Sequence, residues 1–128
     1  MTFDWYQYLV LAEYLYDNRD TFPDREACLR AAISKAYYAA FYSARNYARD
    51  FDRLVLDETA QDHGSVKKHY IRAPDPKNRQ VGNLLDRLRD SRNQADYSDR
   101  IDKLDELAKA AISQSRQVHT LLKQIYRS

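Results

Sequence analysis

Glycine, proline and cysteine are scarce in this chain: two Gly, three Pro and one Cys among 128 residues. A β-sandwich consumes Gly and Pro in its many tight turns, so that class is excluded. The lone Cys28 excludes an intrachain disulfide and a cysteine-based metal framework. His63, His69 and His119 are scattered, and none pairs with another ligand at the helical i, i+4 spacing. No metal site is expected, and nothing implies a cofactor. No apolar run approaches the ~20 residues of a membrane span, and no charged-then-apolar leader opens the chain. The expectation is a cytoplasmic protein without a membrane partner.

What is present points to a single folded domain over residues 1–128. Hydrophobic residues make up 44% and charged residues 31%, a balance that supports one buried core. Eleven Tyr outnumber four Phe and one Trp. Tyrosine adds ring area to a core but carries a hydroxyl that needs a partner when buried, which suits a wet cleft or an interface. Net charge is +2 but unevenly spread: residues 1–62 sum to −4, 63–92 to +5 and 93–128 to +1. The basic middle holds Lys67, Lys68, Arg72, Lys77, Arg79, Arg87, Arg89 and Arg92. It reads either as a solvated helix face or as a surface for a polyanion.

Apolar periodicity predicts helices throughout. The first covers about 3–17, with Trp5, Tyr8, Leu9, Ala12, Leu15 and Tyr16 on one face. Thr21-Phe22-Pro23-Asp24 has the form of a helix start with Thr21 as cap. It opens a long alanine-rich helix over about 23–51, whose small residues permit close helix packing. Residues 52–62 read as irregular. His63 is then a loop residue before a Gly-Ser turn, with Ser65 the possible cap of a short helix to Tyr70 or Ile71. Ala73-Pro74-Asp75-Pro76 ends that helix. A fourth helix covers about 78–96. The fifth, about 100–126, carries Ile101, Leu104, Ala108, Ala111, Ser115, Val118, Leu122 and Ile125 at coiled-coil spacing. The fold class is therefore all-α: an antiparallel up-down bundle of four main helices plus one short helix.

One position breaks the pattern. Val81, Leu84, Leu85 and Leu88 form an apolar stripe, and its next turn lands on Arg92. A guanidinium aimed toward the core cannot shed its proton, so it needs a carboxylate, a carbonyl cluster or a phosphate. Asp96, four residues on, offers an internal ion pair in the less favourable base-before-acid order. The other reading is an arginine held ready for a phosphate, oriented by Asp96 or Asn93.

Three segments together carry a resemblance. They are Ser34-Lys35-Ala36-Tyr37-Tyr38-Ala39-Ala40-Phe41-Tyr42-Ser43-Ala44-Arg45, then His63-Gly64, then Arg92-Asn93-Gln94-Ala95-Asp96-Tyr97. In this order and spacing the chain resembles the HEPN family, in its short stand-alone prokaryotic form, over about residues 5–125. The resemblance implies a helical bundle that dimerises and brings two arginine motifs into one cleft. Many members are metal-independent endoribonucleases of toxin–antitoxin pairs, with a minimal nucleotidyltransferase as antitoxin partner. In the implied mechanism the 2′-hydroxyl attacks the adjacent phosphate, an arginine stabilises the pentacovalent charge and a histidine moves a proton. Arg92 and its polar neighbour Asn93 match the motif. The positions where the histidine should fall are Tyr97, Ser98 and Asp99, and Tyr97 takes its slot. The tyrosine that the antitoxin modifies in some members has Asp99 as its counterpart here, so that control does not transfer.

The site implied by the resemblance is Arg92, Asn93, Asp96 and Tyr97 for chemistry, with Tyr38, Arg45, His63, Lys67 and Lys68 for RNA. Two functions stay open. One is an RNA-cleaving toxin component, the other a non-catalytic module that binds a nucleotide, RNA or a nucleotidyltransferase. A homodimer is expected in either case.

Overall fold

The computed structural model describes residues 2–127, and among these it is all-helical, with five helices and no strand. They are α1 (Tyr6–Asp17), α2 (Arg25–Phe51), α3 (Asp62–Arg72), α4 (Pro76–Tyr97) and α5 (Leu104–Ile125). No helix among the described residues is long and apolar enough to cross a membrane.

The bundle is organised around α2, which packs against each of the other four helices. Its alanines explain how one helix serves four neighbours: Ala32, Ala36, Ala39, Ala40, Ala44 and Ala48 are all fully buried. Without long side chains in the way, flanking helices approach its backbone closely. Leu9, Leu88, Val118 and Leu122 fill the space from the other elements. The α5 seam is buried from Ala108 to Leu122 at the predicted positions.

The helix ends differ from the sequence reading in instructive ways. Thr21 does not cap α2; its hydroxyl donates to the Asn18 carbonyl at 2.7 Å. Asp24 caps instead, accepting from the Ala27 N–H at 3.0 Å. Ser65 does not open α3, because the helix begins three residues earlier, at Asp62. The Asp62 carboxylate turns back to accept the Asp57 N–H at 3.1 Å, which ties the preceding loop to the helix start. His63 therefore lies in the first turn of α3 and not in a loop. Helix α4 begins at Pro76, with Asp75 as its cap. Helix α5 starts at Leu104 and not near residue 100, after Lys103 takes a left-handed conformation with φ 56°. At 12 residues α1 is hardly longer than the 11 of α3, so the contrast of four main helices with one short one is weaker than predicted.

Gly82 sets the distance between α3 and α4. A Cβ added there would lie 2.5 Å from Ile71 Cγ1 and 3.2 Å from the Lys67 carbonyl oxygen. Only glycine admits that approach, which lies against the middle and end of α3.

The tyrosine surplus is resolved partly inside the bundle. The buried Tyr70 hydroxyl donates to the Ala44 carbonyl at 2.7 Å, and the Tyr126 hydroxyl lies 2.6 Å from Asp52. Burial pushes both phenols up from their ordinary range.

Candidate functional site

Arg92 is buried, 8% exposed, as its place on the apolar stripe of α4 requires. Its side chain reaches Asp96 on the next turn at 3.7 Å, an ion-pair distance but too long for a hydrogen bond. Its Nε is buried without a hydrogen-bond partner. Three rings surround the guanidinium: Tyr37 at 5.4 Å, Tyr38 at 5.6 Å and Tyr97 at 6.0 Å from their centres. A planar cation among aromatic rings is attracted by their faces and held in orientation, while its N–H groups are left without hydrogen bonds. Arg89, one turn earlier, also has a buried Nε without a partner.

Helix α2 supplies the floor. Tyr38 and Tyr42, four residues apart, stack with centres 5.8 Å apart, and Trp5 stacks on Tyr42 at 4.1 Å. Arg45 lies over Tyr42 at 4.4 Å and donates from Nε to Asn46. The ring pair thus carries a guanidinium at each end, Arg92 over Tyr38 and Arg45 over Tyr42. Cations interleaved with π-faces at helical spacing suit the alternating phosphates and bases of a single strand.

His63 comes to this site from α3. Its ring stacks on Phe41 at 4.1 Å with an 11° interplanar angle, and its Nδ1 is hydrogen-bonded to the Tyr37 hydroxyl. Burial, reinforced by Arg89 and Arg92, pushes its pKa down to about 4, so the imidazole is neutral at pH 7. Burial likewise raises the Tyr37 phenol, which keeps its proton. His63 also lines a cleft of about 340 Å³ with Tyr42, Arg45, Thr59 and Asp62.

The structure brings Arg92, Asp96, Tyr97, Tyr38, Arg45 and His63 into this region and leaves others outside it. Asn93 is exposed on α4. Tyr97 is 76% exposed, so it is not a core ring. Lys67 is spent on α4, paired with Asp86 at 2.9 Å. Lys68 is exposed and borders a separate shallow cavity with Leu54, His69 and Arg72. Sequence reasoning passed over Arg89, Trp5 and Tyr37 as site residues. For Arg89 the signal was present, since it lies three residues before Arg92 on the same helical face. Trp5 and Tyr37 carried only the pattern of core residues.

Among the described residues no group of three or more His, Cys, Asp or Glu side chains is gathered in a way that would hold a metal ion. The chemistry on offer is that of two incompletely partnered guanidiniums, a neutral imidazole and exposed phenol rings: the binding of an anion that also carries flat bases. Comparison with family models, with curated proteins and with solved structures finds no match to this chain.

Proposed function

We propose that this protein is a HEPN-type, RNA-directed component of a toxin–antitoxin pair, which holds a phosphodiester of single-stranded RNA at Arg92. The single observation that carries this reading is the state of that arginine: buried, ringed by tyrosines, and with N–H donors left unused. A buried cation without its hydrogen bonds is costly to the fold, and a phosphate oxygen would complete it. The Tyr38–Tyr42 pair and Arg45 extend the same surface for the neighbouring nucleotides. In this reading the helices form the antiparallel HEPN bundle, two copies place their Arg92 motifs beside a shared groove, and a minimal nucleotidyltransferase is the partner.

Cleavage is the second reading, favoured by the exposed Tyr97 ring within 6.0 Å of Arg92. A phenol hydroxyl donates a proton far better than it accepts one at neutral pH. The test is binding and cleavage of single-stranded RNA in EDTA, with inspection for 2′,3′-cyclic phosphate ends. Arg92→Ala lowers binding roughly 100-fold and abolishes cleavage, and Arg92→Lys fails substantially because a point charge does not reproduce the planar fork. Tyr97→His, which restores the family motif, raises cleavage if the chain is a weakened nuclease. If wild type binds RNA and neither protein cuts it, the module is non-catalytic. If wild type binds no RNA at all, the RNA-directed reading is abandoned.

A further inference from the structure

The sequence motif lacks a histidine after Arg92, yet the fold delivers one from a different helix. We propose that His63 is the second pole of the Arg92 site, a neutral imidazole whose Nε2–H donates to the phosphodiester that the arginines hold. The inference rests on the reading that this site takes RNA.

The protonation pattern follows from the hydrogen bonding. Tyr37 is 1% exposed, and its hydroxyl hydrogen needs an acceptor. The acceptor in reach is His63 Nδ1. A neutral imidazole that accepts at Nδ1 must carry its proton on Nε2, which makes that edge a donor. Phe41 stacks parallel on the ring at 4.1 Å and Tyr37 lies nearly parallel at 5.6 Å, which orient it. Arg92 and His63 both lie against the same Tyr37 ring, 5.4 Å and 5.6 Å from its centre. A neutral donor is the form of histidine that can stand beside Arg89 and Arg92 without charge repulsion in the free protein. It is also the form that leaves room for a response once an anion arrives.

That response can be derived from the groups facing the ring. Tyr37 and Arg45 come from α2, Asp62 from α3, Arg89 and Arg92 from α4, and Glu58 from the loop before α3. In the free protein burial opposes protonation first and the α4 guanidiniums add to it, while Asp62 favours it more weakly. A phosphodiester bound to those guanidiniums cancels part of their field, so the bound form of His63 titrates higher than about 4. RNA binding then takes up a proton at Nδ1, where the Tyr37 hydroxyl turns from donor to acceptor, and affinity rises as pH falls from the bound-state pKa toward about 4.

The test uses the whole protein and a short 2′-O-methyl oligouridylate, whose blocked 2′-oxygens prevent cleavage. Long-range ¹H–¹⁵N spectra of the imidazole should show the neutral Nε2–H tautomer in the free protein at pH 7. Saturation with the oligonucleotide should move the His63 signals toward the protonated form, and wild-type affinity should rise roughly 5–10-fold from pH 8 to 5.5. His63→Gln, which keeps an N–H donor but cannot titrate, should flatten that profile. Tyr37→Phe should give a mixture of tautomers and weaken binding roughly 3–10-fold. An Nδ1–H tautomer in the free protein overturns the proposal. So does Arg92-dependent binding with unmoved His63 signals and an unchanged profile in His63→Gln, and in that case the RNA-directed reading survives. If wild type binds no oligonucleotide, both fall together.

Discussion

Two arginines within reach of the same helix end show how a fold treats a cation it uses for structure and one it does not. Arg30, on α2, donates to the Ala95 carbonyl at 3.0 Å, the Ser98 carbonyl at 2.6 Å and the Asp99 carbonyl at 3.2 Å. Its Nε donates to Glu26 at 3.0 Å. One carbonyl of the last turn of α4 and the two that follow the helix end are thus capped by that guanidinium. Arg92 lies less than one turn before Ala95, is more deeply buried, and has only the 3.7 Å approach to Asp96. Two of the three histidines divide in the same way. His119 is satisfied on both edges, with Nδ1 2.8 Å from the Ser115 carbonyl and Nε2 3.1 Å from Ser43. His63 is held at Nδ1 alone. The region around Arg30 and His119 is braced, while that around Arg92 and His63 is held in shape but left unsaturated. Unsaturated polar groups in a rigid frame are what a binding site requires.

The sharpest way to break this contrast is to truncate both arginines. Arg92→Ala should lower RNA affinity roughly 100-fold, as expected for loss of a shielded charged contact. Stability should change by no more than about 1 kcal/mol, because Asp96 is partly solvated and stays hydrated when its neighbour goes. Arg30→Ala should do the opposite, costing roughly 2–3 kcal/mol as the carbonyls at the end of α4 lose their donor. Urea titration and RNA binding on the two variants decide the matter. A large stability loss in Arg92→Ala would make it a second structural arginine.

A smaller effect should follow from Gly82→Ala. The added methyl meets Ile71 and the Lys67 carbonyl, and overpacking of this kind costs ~1–3 kcal/mol. Relief falls on α3, which carries His63 at its start, and not on the Arg30 clamp at the far end of α4. The variant should therefore lose the His63 tautomer preference before it loses the α4 end. Urea unfolding and imidazole NMR on one sample report both.

The Arg92 stripe was legible in sequence because it is local: residues at 3–4 spacing share a face whatever the helix packs against. The alanines of α2 and the seam of α5 were legible for the same reason. His63 was named for RNA only through the resemblance; its place in the first turn of α3, stacked on Phe41 and bonded to Tyr37, was not legible, because those partners lie on another helix. Arg30 was not either. Nothing near it in the chain announces that its partners lie at Ala95, Ser98 and Asp99, and its local pattern is that of an ordinary i, i+4 pair with Glu26. Side chains that act within one helix can be read from spacing; those that reach between helices cannot.

Acid should sharpen the histidine half of the comparison. His63 titrates near 4 in the folded protein and at its ordinary 6.5 when unfolded, and His119 is shifted in the same direction. The unfolded chain therefore binds more protons across that window. Stability from His63 is complete above about 6.5 and is lost as pH falls toward about 4, and the His119 contribution is lost in the same direction. Each contributes at most ~1.4 kcal/mol per pH unit, with less from the half-exposed His63. Urea midpoints at pH 7 and 5 should fall in wild type and fall less in His63→Gln. At pH 7 His119→Gln should be the more destabilised of the two, because it gives up two satisfied edges and His63→Gln gives up one.

The smallest expected effect is at Tyr97, where the surface of the site can be separated from its chemistry. Its ring is 76% exposed and faces Arg92 from 6.0 Å, so its hydroxyl supports no buried network. Tyr97→Phe should leave stability within ~0.5 kcal/mol, as for most surface substitutions. RNA affinity should also stay within about twofold, because the π-face that meets a base is retained. Tyr97→Ala removes that face and should weaken binding roughly 5–10-fold, the lower part of the range for one base–aromatic stack. The hydroxyl matters only to cleavage: as general acid it is worth roughly 10²–10⁴-fold in rate. Tyr97→Phe that binds RNA like wild type and cuts it far more slowly would place the proton donor at Tyr97. Equal binding and equal rates would remove Tyr97 from the chemistry and leave it as the outer wall of the arginine site.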